Sequence, residues 1–226
     1  MVNKDIIQSV YRIKYGNDNG TCFQISVSGQ QYLVSAKHIL NGKKNNDNIE
    51  FEIFHDNSWK THEGKLLLHD NDNIDIAVID LVEKSFYRET NIELTHSGEL
   101  FTSQECFFLG FPYNLYSDLP KANDNLPVPF IKKAIFSLFT GEESNEKIMY
   151  LDGHNNPGFS GGPVVAEIIG KNITKICSVV SSYIMQSNKL ENTTLLYGEN
   201  SGIIVTYASV HIMEIINSNA STQQLR

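Results

Sequence analysis

The sequence predicts a mostly β fold built of two packed six-stranded barrels and closed by a C-terminal helix. Short segments rich in branched and aromatic residues recur about a dozen times along the 226 residues. Turn-forming clusters such as 17–20 and 70–73 separate them, at a spacing typical of barrels rather than βαβ units. The polar stretch 88–104 divides these segments into two groups. We therefore expect residues 1–95 to form one barrel and residues 96–226 the other, together one domain.

Each element follows from local composition. The predicted strands of the first half are 21–27, 31–35, 49–54, 65–68 and 74–81. Those of the second half are 106–109, 131–139, 148–151, 164–169, 173–183, 194–197 and 202–206. Residues 207–217 place apolar side chains three and four positions apart, which predicts one amphipathic closing helix, and a short helix is expected after His38.

Composition excludes several classes of protein. The formal net charge of -8 argues against a nucleic-acid or anionic-membrane partner. No apolar stretch is long enough to span a bilayer, and the first 20 residues lack a signal-peptide core. Cys22, Cys106 and Cys177 are far apart, and we interpret them as buried thiols in a reducing compartment. We expect a cytoplasmic protein.

The most informative segment is 152–163, Asp-Gly-His-Asn-Asn-Pro-Gly-Phe-Ser-Gly-Gly-Pro. Glycines around Ser160 let the backbone turn tightly and direct its N–H groups at one point, where an oxyanion can form. A serine in this setting is typical of a nucleophile. A glycine-rich turn between two strands is the alternative, and this segment alone does not decide between them.

A nucleophilic serine needs a base and a carboxylate that orients the base. His38 follows an apolar strand that would hold it rigidly, and Asp75 opens another apolar strand. A buried carboxylate costs several kcal/mol unless it is paired, so Asp75 should have a partner. Asp70, Asp72 and Asp80 are weaker candidates, because the first two lie in a turn and the third ends the strand.

The order His38, Asp75, Ser160 resembles that of the trypsin-like (chymotrypsin-fold) serine peptidases, particularly their bacterial intracellular and HtrA-like branch. Four motifs carry the resemblance: Ser-Ala-Lys-His at 35–38, Asp-Ile-Ala-Val at 75–78, Leu-Gly-Phe-Pro at 109–112 and Gly-Phe-Ser-Gly-Gly-Pro at 158–163. The resemblance implies the trypsin-like two-barrel fold.

The resemblance also implies a role for each site residue. Ser160 would be the nucleophile, His38 the general base and then acid, and Asp75 the residue that orients His38. The backbone N–H groups of Gly158 and Ser160 would form the oxyanion hole. Ser181 resembles a serine on the substrate-pairing strand and would donate to Asp75. No cofactor or metal is implied.

By the same resemblance, His154 lies near the base of the pocket for the residue before the cut. The pocket wall would be formed by Ser181, Ser182 and Tyr183. This implies a preference for small or medium uncharged residues, or for an acidic one if His154 is protonated. A two-residue shift in the loop would bring the Asp152 carboxylate to the base and reverse this expectation.

Two departures from the family affect regulation. Phe159 replaces the acidic residue that pairs with a newly cut N-terminus in digestive members, so activation by that route is not expected. A chain of 226 residues also leaves no room for the PDZ domain of HtrA proteins.

We therefore expect a serine endopeptidase that cleaves a protein or peptide substrate through an acyl-enzyme, with a regulatory protein as a further partner. A catalytically silent binding module of the same fold and an esterase-type acyl hydrolase are the alternatives. His55, His62 and His69 recur every seven residues. In a β-rich region that spacing does not place them on one face, so we interpret them as surface histidines rather than a metal site.

Overall fold

The structure of the protein is a computed structural model that describes residues 2–81, 92–96, 98–117, 123, 126–141, 143–190 and 194–224. Its strands form two closed barrels of six strands each, and all pairings within the barrels are antiparallel. This confirms the predicted fold class. The predicted division between residues 95 and 96 stays a prediction, because much of the stretch that contains it lies outside the described residues.

The first barrel is preceded by a short helix, α1 (Lys4–Gln8). Its strands are β1 (Val10–Tyr15), β2 (Asp18–Val27), β3 (Gln30–Ser35), β4 (Asn48–His55), β5 (Ser58–Leu68) and β6 (Ala77–Leu81). Around the barrel they follow the order β1-β2-β3-β6-β5-β4. The short helix expected after His38 is a 3-10 turn, Lys37–Leu40, that includes the histidine.

The second barrel contains β7 (Glu105–Gly110), β8 (Phe130–Phe139), β9 (Ile148–Asp152), β10 (Pro163–Ile168), β11 (Ile173–Lys189) and β12 (Leu196–Ala208). They close in the order β10-β11-β12-β9-β8-β7. The chain then forms helix α2 (Val210–Gln224). A 3-10 turn, Pro112–Asn114, follows β7 on the side that faces the first barrel.

Several elements differ from the sequence prediction. Helix α1 was not expected, β5 begins at Ser58 rather than at 65, and β6 begins at Ala77, so Asp75 precedes this strand instead of opening it. Strand β1 was not predicted, because its charges at Arg12 and Lys14 break the apolar run, whereas the structure buries Arg12 and pairs Lys14 with a carboxylate. The predicted strands 194–197 and 202–206 belong to one strand, β12, which continues through Gly202 at φ +81°. Helix α2 begins three residues later than predicted, because the chain up to Ala208 still belongs to β12.

One apolar cluster joins the two barrels and α2. It contains Phe23 and Val34 of the first barrel, Leu109 and Val179 of the second, and Ile212 of the helix, all buried. Because burial of such side chains stabilises a fold by about 1.5–3 kcal/mol each, this shared cluster holds the barrels in a defined relative position. The site described below lies at the same seam.

The three cysteines are buried free thiols, as predicted. Burial raises the pKa of the Cys106 thiol to about 12, so this group stays protonated. No helix among the described residues has the length and hydropathy needed to cross a membrane.

Candidate active site

His38 and Asp75 form a closely hydrogen-bonded pair in the first barrel. His38 lies in the 3-10 turn after β3, and Asp75 lies in the loop just before β6. The Asp75 Oδ1 atom accepts from the His38 backbone N–H at 2.9 Å, and Oδ2 lies 2.7 Å from His38 Nδ1. Because Nδ1 faces the carboxylate, Nε2 is the ring nitrogen available to another group.

Ser181, on β11 of the second barrel, completes the surroundings of Asp75. Its hydroxyl donates to Asp75 Oδ2 at 2.5 Å. The hydrogen bond that His38 donates to the Asp75 carboxylate raises the pKa of His38 above its ordinary value, even though burial opposes this. Burial alone would raise the pKa of Asp75, but the hydrogen bonds from His38 and Ser181 outweigh it and lower that pKa. The pair is therefore held in charge-stabilising contacts from both barrels.

Ser160 lies in a turn that only glycine can build. Gly158 has φ +106° and Gly161 has φ +82°, both in the region that L side chains rarely adopt. A Cβ on Gly158 would lie 2.3 Å from the Phe111 carbonyl oxygen, and one on Gly161 would lie 2.1 Å from the Thr21 carbonyl oxygen. The N–H groups of Gly158 and Ser160 have no acceptor among the described residues. The turn therefore leaves two neighbouring donors free for a ligand.

The Ser160 hydroxyl points towards Ser181 in this structure. Its Oγ donates to the Ser181 carbonyl oxygen at 3.0 Å, and no hydrogen bond between Ser160 and His38 occurs in the described part of the chain. Ser181 thus contacts the carboxylate through its side chain and the serine through its backbone. The structure therefore brings His38, Asp75, Ser160 and Ser181 together beside β11. The Ser160 hydroxyl is directed at the Ser181 carbonyl and not at the His38 imidazole.

Thr21 is a site residue that the sequence analysis missed. Its hydroxyl donates to the Gly158 carbonyl at 2.7 Å and accepts from the Phe111 N–H at 3.2 Å, and its own N–H donates to the Ser160 carbonyl at 2.9 Å. The first barrel thereby holds the serine turn of the second in place. No motif marks Thr21, because its function depends on a contact between residues 137 positions apart.

Neighbouring residues at the predicted pocket base differ in burial. His154 is exposed and accepts a hydrogen bond from Lys132 through its backbone carbonyl. The buried residue of this segment is Asn155, whose Nδ2 donates to the Ser182 carbonyl at 3.4 Å. Its Oδ1 has no partner among the described residues. Asn155 is therefore the polar group that faces the wall formed by β11.

The other predicted pocket residues lie along one strand. Ser182 is exposed and Tyr183 is half-buried, both on β11 immediately after Ser181. Asp152, at the end of β9, is exposed. Phe159 is fully buried and packs edge-on against Phe108, with ring centroids 4.7 Å apart, so it fills the second barrel's core instead of offering a charge.

Two of the three regularly spaced histidines, His55 and His62, lie together. His55 and His62 are half-buried, and their rings are 5.9 Å apart on one face of the β4–β5 hairpin. The three histidines do not share one face, as expected, but His55 and His62 do, because a two-residue turn folds β5 back onto β4.

The third of these histidines, His69, belongs to a different cluster. With His211 and Glu214 it offers ligand atoms within 4.8 Å of one another. In this structure the cluster is a hydrogen-bond network. Glu214 lies 2.6 Å from His211 and accepts from the Lys147 ammonium at 2.9 Å, while the Nδ1 of His69 accepts a backbone N–H. The ammonium on the carboxylate disfavours a second cation there.

The protein is similar to known peptidases in two comparisons, one with a family model of sequences and one with solved structures. Residues 20–171 match the model of the trypsin-like peptidase domain. No curated protein matches the chain in sequence. Among solved structures, the HtrA-type protease AlgW with a tripeptide aligns with a TM-score of 0.61 at 16% identity, over 94% of this chain and 60% of AlgW. This chain therefore spans less than two thirds of that protein.

Two further structures are similar over most of their own length. The Rv3671c protease of Mycobacterium tuberculosis, in an inactive form, aligns with a TM-score of 0.58 at 13% identity and covers 94% of this chain and 89% of its own. A serine endoprotease from Yersinia pestis aligns with a TM-score of 0.60 at 16% identity, over 96% of this chain and 67% of that one. At these identities the likeness concerns the fold.

Proposed function

Because the chain belongs to the trypsin-like peptidase family, we propose that it is a serine endopeptidase that uses Ser160, His38 and Asp75. The observation that carries this proposal is the double hydrogen bond between His38 and Asp75, beside a serine turn with two free N–H donors. A glycine-rich turn that only connects two strands would not need His38 and Asp75 beside it. Nor would it need Ser181 of the second barrel to donate a hydrogen bond to Asp75 of the first.

The proposed reaction begins with a rotation of one side chain. The Ser160 hydroxyl leaves the Ser181 carbonyl and turns to His38 Nε2, which takes its proton as Oγ attacks the substrate carbonyl. In substrate-free sites such hydrogen bonds often form only when the substrate binds. The Gly158 and Ser160 N–H groups stabilise the oxyanion. His38 then gives its proton to the leaving amine, and water hydrolyses the acyl-enzyme by the same route.

Asp75 contributes in two ways. Its bonds to the backbone and ring of His38 fix the tautomer with Nδ1 protonated, and its charge stabilises the imidazolium that forms. The substrate is a protein or peptide whose residue before the cut lies along β11 and near Asn155. The unpaired Oδ1 of Asn155 favours a side chain there that can donate a hydrogen bond.

A fluorophosphonate probe tests the nucleophile directly. We expect labelling of the wild type on Ser160, none in Ser160→Ala, and full labelling in the control Ser137→Ala, which changes an exposed serine on β8. Ser160→Ala and His38→Ala should each reduce peptide hydrolysis about a thousandfold or more. A wild type that is folded but not labelled would instead identify a silent binding module.

Paired peptide and ester substrates separate the two enzyme classes. A peptidase hydrolyses an amide bond within a peptide library, whereas an esterase-type acyl hydrolase hydrolyses only the ester. Ester hydrolysis without any peptide cleavage across the library would contradict the proposal while leaving the nucleophile intact.

A further inference from the structure

A cavity of about 220 Å³ lies at the barrel seam beside the serine turn. Its lining includes Gly158 and Pro157 of that turn, Tyr113 and Asn114 of the 3-10 turn after β7, and Arg12 and Trp59 of the first barrel. Asn155 and Ser181, which lie on the acyl side of the cut in the proposed reaction, are not among its lining residues. Since Gly158 borders both regions, a peptide bound at the serine turn has its leaving-group side in this cavity.

Arg12 is the unusual residue of this cavity. It is only 7% exposed, yet its guanidinium lies over three aromatic rings, 4.6 Å from the centroid of Phe54, 5.0 Å from that of Trp59 and 5.2 Å from that of Tyr116. A guanidinium carries five N–H donors. Among the described residues, its one hydrogen bond goes to Asn114 Oδ1 at 2.9 Å. Most of its donors therefore remain available.

No carboxylate of the described residues pairs with Arg12. All the ion pairs found among them involve lysines or histidines. Asp18 lies on the cavity rim but is exposed, and its charge acts on His38 rather than on Arg12. Burial lowers the pKa of Arg12, and of the described residues only Tyr116, not a carboxylate, opposes this. A buried cation without a counter-charge is costly, and an anionic ligand would relieve that cost.

We infer that this cavity binds a substrate carboxylate on the leaving-group side of the cut, with Arg12 as the residue that recognises it. The inference deepens the proposed function, since the direction of the substrate rests on it. The planar fork of a guanidinium matches a carboxylate with two parallel hydrogen bonds, and the three rings hold it in position. The cavity adjoins Gly158 and an extended peptide advances about 3.3 Å per residue. The carboxylate therefore belongs within about three residues after the cut.

Two sources can supply this carboxylate: an acidic side chain, or the free C-terminus of a short substrate. Binding is measured first, without turnover. Trp59 is the only tryptophan of the chain and lines the cavity, so its fluorescence reports on this site alone. Two pairs of peptides are titrated into Ser160→Ala. Acetyl-Gly-Glu-Gly amide and acetyl-Gly-Gln-Gly amide differ only in a side-chain carboxylate, and acetyl-Gly-Gly-Gly acid and its amide differ only in the C-terminal carboxylate.

We expect the favoured acid to bind at least tenfold more tightly than its amide partner. In Arg12→Met, which keeps the length of the side chain without its charge, this ratio should fall close to one. Lys60→Met is the matched control: it removes one positive charge from an exposed position next to Trp59 and should leave the ratio unchanged. Arg12→Lys, which keeps the charge but not the fork, should retain only part of the preference and covers the case in which Arg12→Met does not fold.

Cleavage gives the second measurement. The residues before the cut are held constant. If the binding test favours the acidic side chain, Glu in place of Gln at one of the three following positions should raise kcat/KM about tenfold in the wild type and not in Arg12→Met; if it favours the free C-terminus, the same rise is expected for a short peptide acid over its amide. Equal binding of acid and amide, or a preference that survives Arg12→Met, overturns the inference even if hydrolysis is normal. Absence of hydrolysis overturns the proposed function alone, because the fluorescence titration needs no reactive serine.

Discussion

Thr21→Val tests whether the first barrel positions the serine turn. Valine keeps the shape of threonine but cannot hydrogen-bond through its side chain, so the change removes the bond to the Gly158 carbonyl and the acceptor of the Phe111 N–H. Thr21 is fully buried, so water cannot replace either partner without a rearrangement. The peptide after Gly158 then loses the contact that sets its orientation.

The magnitude follows from these two bonds. Loss of the bond to Gly158 costs about 1 kcal/mol, and a buried Phe111 N–H without an acceptor costs about 1–3 kcal/mol more. We expect the free energy of unfolding to fall by about 2–4 kcal/mol. Removing an oxyanion donor outright costs about 100- to 1,000-fold in kcat. The lost bond frees the peptide that follows Gly158, and the Gly158 N–H, which belongs to the preceding peptide, is affected only through the Gly158 backbone torsions. A smaller fall in kcat of about 10- to 100-fold is therefore expected, with little change in KM.

Thr21→Ser is the matched control, because it keeps the hydroxyl and loses only a methyl group. Steady-state hydrolysis of one peptide substrate and urea unfolding are measured for the wild type and both variants. The serine variant should recover most of the lost kcat, although it remains somewhat less stable than the wild type. An unchanged kcat in Thr21→Val, or an equal loss in Thr21→Ser, would refute the positioning of Gly158 by the hydroxyl.

Three further predictions concern charge. Asp75→Asn removes the carboxylate that raises the pKa of His38. Because His38 must be neutral to act as a base, kcat/KM rises with pH through that pKa, so the acid limb of the kcat/KM profile should move to lower pH in this variant. The plateau of the profile should fall about 10⁴-fold. Ser181→Ala removes a donor to Asp75, so kcat should fall about tenfold and be measurable by the same assay. Hydrogen bonds from Lys147 and His211 outweigh burial and lower the pKa of Glu214 to about 2, so its contribution to stability is present above its ordinary pKa of 4.5 and is lost as pH falls towards 2. Urea unfolding should therefore show a smaller loss of stability over this acid range in Glu214→Gln than in the wild type.

The sequence predicted the fold class because β propensity and turn chemistry are local. Eleven of the twelve strands of the structure overlap predicted segments, although some bounds differ by several residues, and β1 has no predicted counterpart. Its Arg12 is buried against rings from β4, β5 and the loop after β7, so its environment depends on chain segments that a local pattern does not include.

The sequence likewise predicted some features of the candidate site and not others. His38, Asp75 and Ser160 stand in short motifs with recognisable neighbours, so their residue types and order could be read from the sequence. The His38 ring contacts Asp75 across 37 residues, and the Ser181 hydroxyl contacts Asp75 across 106. The sequence suggested these contacts through resemblance, while their distances come from the packing of the barrels.

The sequence by itself determined a two-barrel β protein and the residue types of the candidate serine-histidine-aspartate site, since both depend on short patterns along the chain. Only the tertiary structure decided that Thr21 holds the Gly158 carbonyl and that Asn155 rather than His154 is buried beside β11. It also decided that Arg12 lies in a cavity next to the serine turn, with no ion pair to any carboxylate of the described residues. The physical reason is that these features arise where the two barrels meet or where strands far apart in sequence pack. Burial and hydrogen-bond geometry at such contacts are set by the packed core, and no local pattern of residues records them.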